Sequence, residues 1–211
     1  MVKHTQNIKE AARVLQQGRV VAFPTGTSYG LAVDALQGHA LQRVRNIKQR
    51  PQEKIFSIFM KESLWPEFLD LSDTEKEFLA QHKNQPLTLL VEAQPDLSHL
   101  MQDGRVALRV IDHPLMLALA EAVDVPLTAT SANISGQEAC YSPTEIEKAF
   151  PGKLDETTYD LSLGLILDAG ELPHKQASTI VKIQENKIIV VREGAIKTFP
   201  SFPLQRAGGI T

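Results

Sequence analysis

Two stretches of this chain place small hydroxyl and carboxamide side chains directly after apolar, β-prone runs. Pro126-Leu127-Thr128-Ala129 runs into Thr130-Ser131-Ala132-Asn133-Ile134-Ser135-Gly136, and Arg19-Val20-Val21-Ala22-Phe23 runs into Pro24-Thr25-Gly26-Thr27-Ser28-Tyr29-Gly30-Leu31. Such groups both donate and accept hydrogen bonds, and ligands of open α/β sheets gather beyond the carboxyl ends of strands. The same residues are ordinary turn formers, so composition alone also fits two capped turns. Between the stretches lies a cationic cluster, Arg43, Arg45, Lys48, Arg50 and Lys54, opposed locally by Glu53. A helix dipole accounts for Arg45 and Lys48, but Arg50 and Lys54 fall beyond the helix end. With Arg109 and Arg192, and without an obvious general base, these groups suit phosphate and carboxylate binding. Catalysis by positioning and charge neutralisation, as in transfers at phosphorus, is the chemistry they could support.

Other chemistries lack their patterns. No Gly-x-Gly-x-x-Gly follows a strand, no loop ends in Gly-Lys-Ser/Thr, and no Gly-x-Ser-x-Gly elbow occurs. The six histidines are scattered without a His-Glu-x-x-His spacing, so no protein-built metal site is expected. Cys140 is the only cysteine, which excludes an intramolecular disulfide and a multi-cysteine zinc site. The 211 residues carry 22 Lys plus Arg against 25 Asp plus Glu, a formal charge of −3. That balance argues against a general nucleic-acid coat and leaves room for a local basic patch. The N-terminus lacks a signal-peptide core and no apolar run could cross a bilayer, so a cytoplasmic protein is expected.

The elements that must position these groups follow from periodicity. A helix is predicted over 8–17, capped by Thr5 and closed by Gly18, with Ile8, Ala11, Ala12 and Leu15 inward. A strand over 19–23 leads into a loop from Pro24 to Leu31. A second helix over 40–47 turns Leu41, Val44 and Ile47 inward and is stopped by Pro51. Strands follow at 54–60, 86–91 and 105–110, with polar helical turns to about Lys83 after the first, and with Trp65 and Phe68 read as core. In the last of these Arg109 shares a face with Ala107, opposite Val106, Leu108 and Val110. Asp112 and Pro114 open a helix to about Ala122, and a short helix covers 143–150. A strand over 163–167 and a hairpin of 177–183 with 187–192 close the pattern. No repeat or linker divides the chain, so a single α/β domain around a mixed sheet is expected over 1–197, followed by a surface-bound or mobile tail at 198–211.

Several segments in order resemble the YrdC-like threonylcarbamoyl-AMP synthases. They are Phe23-Pro24-Thr25-Gly26-Thr27-Ser28-Tyr29-Gly30-Leu31, Lys48-Gln49-Arg50-Pro51, Pro86-Leu87-Thr88 and Val106-Ala107-Leu108-Arg109. Thr130-Ser131-Ala132-Asn133-Ile134-Ser135-Gly136, Leu167-Asp168-Ala169-Gly170, Ser178-Thr179-Ile180-Val181 and Arg192-Glu193-Gly194-Ala195 continue the set. Each motif alone is weak, and the ordered set is highly specific. The resemblance covers Ile8 to Ile196 and is to the short, single-domain bacterial type.

The resemblance implies a twisted mixed sheet with surrounding helices and a concave basic cavity. It implies that L-threonine, bicarbonate and ATP give threonylcarbamoyl-AMP and pyrophosphate, for N6-threonylcarbamoyladenosine at position 37 of tRNA. It marks Lys48, Arg50, Ser131 and Asn133 as a signature tetrad. Thr27, Arg109, Ser178 and the backbone of Ala129 are implied to contact threonine. Arg50, Lys54, Ser131, Ser142 and Arg192 are implied to contact the nucleotide. In that scheme Lys48, Arg50 and Arg192 neutralise phosphate charge, Arg109 pairs with the threonine carboxylate, and Mg2+ arrives with ATP. The implied partners are tRNA or a tRNA-modifying transferase complex of the TsaD type, and no membrane.

The chain departs from the family pattern in places. Gly26 replaces an acidic residue, Lys83-Asn84-Gln85 replaces Trp-Pro-Gly, and Lys54 and Phe59 stand where many members have Asn and His. The segment 137–141 is longer than the commonest pattern, which bears on Ser142. A YciO-like nucleotide- or RNA-binding paralogue with little synthase activity is the alternative, and the intact Lys-x-Arg and Ser-x-Asn pairs argue against it. A carbamoyl-transfer module of the hydrogenase-maturation type would need zinc-finger and acylphosphatase parts, for which a single cysteine leaves no room.

Overall fold

The computed structural model describes residues 2–151 and 163–200 and the backbone of 204–206. The chain opens with β1 (His4–Thr5), α1 (Ile8–Gln16), β2 (Val21–Pro24), β3 (Tyr29–Ala32) and α2 (Gly38–Lys48). Then come β4 (Ser57–Phe59), α3 (Trp65–Phe68), β5 (Leu69–Asp70), α4 (Asp73–Gln81), β6 (Leu87–Ala93) and β7 (Arg105–Arg109). After α5 (Pro114–Glu121), β8 (Leu127–Ser131) and α6 (Pro143–Ala149) follow β9 (Leu165–Leu167), β10 (Thr179–Gln184), β11 (Lys187–Arg192) and β12 (Leu204–Arg206). These strands form one hydrogen-bonded sheet in the order β1-β9-β2-β3-β8-β4-β7-β6-β10-β11-β12, with β5 attached to β6. Parallel pairs (β9 with β2, β4 with β7, β6 with β10) mix with antiparallel ones (β2 with β3, β3 with β8, β8 with β4, β6 with β7). The protein is a single-domain α/β fold on a mixed sheet.

Side-chain alternation along the central strands sorts two apolar layers. Val21, Phe23, Ala32, Phe59, Leu127 and Leu165 pack with Ala11 and Leu15 of α1 and with Met116 and Leu119 of α5. Phe23 and Phe59 stack with ring centroids 5.0 Å apart. Their chain neighbours Ala22, Leu31 and Ile58 join the larger core with Leu41, Val44 and Ile47 of α2 and Phe78 and Leu79 of α4. Trp65 packs partly buried against that core and Phe68 lies inside it. Tyr29 ties the start of β3 to the segment that follows β9. Its hydroxyl donates to the Gly170 carbonyl and accepts from the Ala169 amide, each at 2.9 Å, and burial pushes its pKa up to about 12.

The structure corrects three details. Asn7 caps α1, its side chain accepting the Glu10 amide at 3.3 Å, because Thr5 is engaged in β1. The loop expected from Pro24 to Leu31 contracts to 25–28, since Tyr29–Ala32 pairs antiparallel with β2 and is wholly buried. The strand expected over 54–60 shortens to Ser57–Phe59, the preceding residues forming a turn. In the tail, Phe199 is buried with its ring 5.8 Å from that of Phe78, and Leu204–Arg206 pairs parallel with β11. The rest of the tail lies outside the described residues.

Gly194, just past β11, runs tight against the start of β10. A Cβ there would lie 2.3 Å from the Ala177 carbonyl oxygen and 2.5 Å from the Thr179 nitrogen. Both obstacles are backbone, which cannot swing aside as a side-chain end does. Gly194→Ala should therefore destabilise the fold by about 1–3 kcal/mol through overpacking. Urea unfolding measures this, and a change within about 0.5 kcal/mol would show that the two strands part freely.

Candidate active site

The turn joining β2 to β3 is built by its own hydroxyls. Thr25 Oγ1 donates to the Ser28 carbonyl at 2.7 Å and accepts the Thr27 and Ser28 amides at 3.2 and 3.3 Å. Thr27 Oγ1 lies 3.1 Å from Thr25 Oγ1. The turn and this part of the cavity wall are thus the same object: the bonds that close the turn also fix where the hydroxyls sit.

The second hydroxyl stretch is held from below by Lys48, the last residue of α2, which is 1% exposed. Its Nζ donates to the Ser131 carbonyl, to the Asn133 carbonyl at 2.8 Å and to Asn133 Oδ1 at 3.0 Å. An ammonium has three donors and no acceptor, so these three acceptors saturate it. Burial pulls its pKa down to about 7, the positive charge of Arg50 adds to that, and Cys140 opposes it. Ser131 Oγ donates to Asn133 Oδ1 at 2.6 Å, and Asn133 Nδ2 donates to the Ile134 and Gln137 carbonyls at 3.0 and 2.6 Å. The Ser-x-Asn pair is therefore a closed network resting on one cation.

Gln49, in the left-handed conformation with φ of 49°, turns the chain at the end of α2. Beyond it Arg50 donates to the Ile55 carbonyl at 2.6 Å and to the Lys54 carbonyl at 3.3 Å, its guanidinium 5.1 Å from the Phe56 ring centroid. Burial and then the charge of Arg45 lower its pKa. Across the sheet, Arg109 Nη1 donates to the Leu87 and Val110 carbonyls at 3.0 and 2.9 Å, and its Nη2 donates to Asp112 at 2.6 Å. Ser178 Oγ lies 3.0 Å from Thr88 Oγ1, and Arg192 Nη2 donates to the Ser178 carbonyl at 2.7 Å and to its Oγ at 3.0 Å.

These groups share one cavity of about 300 Å³. Of the residues expected from the sequence, Thr27, Arg50, Arg109, Ala129, Ser131, Asn133, Ser178 and Arg192 line it. Lys48, Lys54 and Ser142 do not. Lys48 lies behind the wall, Lys54 is exposed with its carbonyl taken by Arg45 and Arg50, and Ser142 caps α6 by accepting the Glu145 amide at 3.2 Å. Sequence reasoning missed Ser57, Tyr141 and Lys175, which also line the cavity. Tyr141 stacks on His174 with centroids 3.8 Å apart. Position offers the sole signal for Lys175, which precedes Ser178 by three places in an aperiodic loop. A larger recess of about 490 Å³ shares Arg109 but is floored by Met60, Trp65, Leu79 and Leu108 and gathers none of the other expected residues. Among the described residues, no three His, Cys, Asp or Glu side chains converge, and no helix is long and apolar enough to cross a membrane.

The family model for the Sua5/YciO/YrdC domain, described as "Telomere recombination", matches residues 13–194. A putative threonylcarbamoyl-AMP synthase of Methanocaldococcus jannaschii is 32% identical over 198 residues, covering 90% of each chain. The structure of P. abyssi Sua5 complexed with L-threonine superposes with a TM-score of 0.80 at 26% identity, covering 97% of this chain and 62% of that longer one. That of E. coli YciO superposes with a TM-score of 0.74 at 23% identity over 91% of this chain and 93% of that one, a likeness of fold.

The depressed pKa of Lys48 has a measurable consequence. Its ordinary value is 10.5 and its folded value is about 7. Between those limits the unfolded chain binds more protons than the folded one, so stability rises with pH there and is lost as pH falls towards 7. The slope contributed reaches about 1.4 kcal/mol per pH unit. Unfolding free energies taken from pH 7 to 10 should rise more steeply for the wild type than for Lys48→Met, and parallel curves would mean that the ammonium stays charged throughout.

Proposed function

The chain belongs to the family of the Sua5, YciO and YrdC proteins, and from that premise we propose that it is an L-threonylcarbamoyladenylate synthase. It converts L-threonine, bicarbonate and ATP to threonylcarbamoyl-AMP and pyrophosphate. The observation that carries this reading is the single cavity in which Thr27, Arg109, Ala129 and Ser178 meet Arg50, Ser131, Asn133 and Arg192. An amino acid and a triphosphate are both anionic and both rich in hydrogen-bonding groups, and this wall offers guanidinium groups and hydroxyls to each.

In the reaction, the threonine amine adds to bicarbonate with loss of water to give a carbamate. A carbamate oxygen then attacks the α-phosphorus of ATP, and pyrophosphate leaves with the electrons of the broken P–O bond. Arg109 receives the threonine carboxylate, with the hydroxyls of Thr27 and Ser178 and the backbone of Ala129 beside it. Arg50 and Arg192, joined by Lys175, neutralise the charge on the phosphates, where preorganised donors act most strongly. Lys48 holds Ser131 and Asn133 in place from behind. Lys54 and Ser142, which lie outside the cavity lining, are the remaining nucleotide contacts that the resemblance implies. Magnesium enters as part of the MgATP substrate. The product serves N6-threonylcarbamoyladenosine formation at position 37 of tRNA, with a TsaD-type transferase and tRNA as partners in the cytoplasm.

Purified protein given ATP and bicarbonate should release pyrophosphate rapidly only when L-threonine is added. Release that ignores the amino acid, or that serine and glycine support equally, would sink the reading. Nucleotide binding with no threonine-dependent release would return the YciO-like alternative. Within the synthase, Arg50→Ala should lower kcat/KM by about 30- to 1000-fold, the range for losing one charge-stabilising donor. Arg50→Lys should recover part of that, since an ammonium cannot reproduce the planar fork.

A further inference from the structure

Directly under the Arg109 side of the cavity lies a carboxylate absent from the roles above. Asp112 follows β7, and its side chain is 1% exposed, deeper than the 6% of Arg109 with which it pairs. Its two oxygens point at different parts of the site. Oδ2 accepts from Arg109 Nη2 at 2.6 Å, and Oδ1 accepts the Gly26 amide at 2.9 Å. One carboxylate therefore joins the guanidinium on β7 to the hydroxyl turn between β2 and β3, elements 86 positions apart in sequence.

Two features show that this link is built in. Position 26 must lack a side chain for Asp112 to sit where it does: a Cβ on Gly26 would lie 2.4 Å from Asp112 Oδ2 and 3.0 Å from the Asp112 carbonyl oxygen. The donors of Arg109 are also partitioned. Nη1 serves the Leu87 and Val110 carbonyls, with that of Gln85 at 3.5 Å, and Nη2 gives one hydrogen to Asp112, which leaves Nε and the other hydrogen on Nη2 without partners among the described residues. A guanidinium pinned along one side in this way presents its remaining donors in a fixed direction, and Arg109 lines the cavity.

We propose that Asp112 is a positioning residue for amino-acid binding, holding Arg109 and the turn that carries Thr25 and Thr27 in one geometry so that carboxylate and hydroxyl of the substrate are read together. This rests on the synthase reading for the identity of the amino acid. The link itself can be tested without turnover. Asp112→Asn keeps the volume but replaces one acceptor by an NH2 donor, which cannot face both Gly26 N–H and Arg109 N–H. The charge can also be moved instead of removed. Since a Cβ at 26 would begin 2.4 Å from the present Oδ2, a carboxylate built from position 26 reaches Arg109 once position 112 is emptied.

The experiment compares wild type, Asp112→Asn and the double variant Gly26→Asp/Asp112→Gly. KM values for L-threonine and ATP come from pyrophosphate release, and calorimetry gives the L-threonine Kd without nucleotide. Asp112→Asn should raise the threonine KM and Kd by about 10-fold or more and leave the ATP KM within about 2-fold. The double variant should recover most of the threonine affinity, which a merely structural role for Asp112 would not produce. Unchanged threonine affinity in Asp112→Asn, equal losses for both substrates, or a folded double variant with no recovery would each overturn the proposal. If Asp112→Asn fails to fold, the double variant alone decides by the same readouts. A wild type that binds threonine without releasing pyrophosphate would end the synthase reading, while loss of that binding in Asp112→Asn would still support the positioning role.

Discussion

A buried ammonium is the contact on which the rest of the site depends. Lys48 leaves the end of α2 and meets three oxygens of the stretch that follows β8, while the Lys48 carbonyl accepts the Ser135 amide at 2.8 Å. The last turn of a helix and the exit of a central strand are thereby tied at both backbone and side-chain level. A cation at this depth is costly unless paired or saturated with acceptors, and carbonyl oxygens provide that without adding a second charge. A carboxylate partner would have served the ammonium as well, but would have placed a negative charge beside a cavity lined by Arg50, Arg109 and Arg192.

The same logic separates the two sides of the cavity. On the Ser131 side the supporting network is one cation and neutral dipoles. On the Arg109 side it is an ion pair, with Asp112 buried beneath the guanidinium. An ion pair of this kind is not strong evidence of stability, because desolvation offsets much of the attraction. What it provides is direction, since a guanidinium held by a carboxylate and two carbonyls has little freedom left.

Much of this was legible in the sequence because it lies in apolar runs and their ends. The alternation in Val106-Ala107-Leu108-Arg109 sets Arg109 apart from its large apolar neighbours, and the breaks at Thr130 and Thr25 mark strand ends. Other features could not be read, for specific reasons. Tyr29-Gly30-Leu31-Ala32 follows a turn so short and polar that its hydroxyls mask the start of β3. Local pattern also reads Lys48 as one more phosphate-facing cation, because the carbonyls that saturate it lie more than 80 positions away. Asp112 looks like a helix-opening residue beside Pro114, yet Ser and Thr hydroxyls build the turns elsewhere and His113 caps α5. Its real partners become visible only when β7 and the β2–β3 turn are brought together.

The Lys-x-Arg pair shows how far two like charges can diverge. Lys48 and Arg50 are separated by one residue, a spacing that already keeps them from facing each other on a helix. Gln49 adopts φ of 49° and breaks the helix between them. Lys48 is left pointing back into the fold, where its compact ammonium fits a pocket of three oxygens, and Arg50 is turned outward along Phe56 to the cavity wall. The residue types match the two destinations. A point charge with three rotatable donors suits a cage of carbonyls, and a planar fork suits an anion arriving from solvent. Exchanging the two would place a rigid guanidinium in a cage sized for Nζ and a freely rotating ammonium where Arg50 presents a planar fork to the cavity. The spacing and the left-handed residue between the two cations act together to give each its separate task.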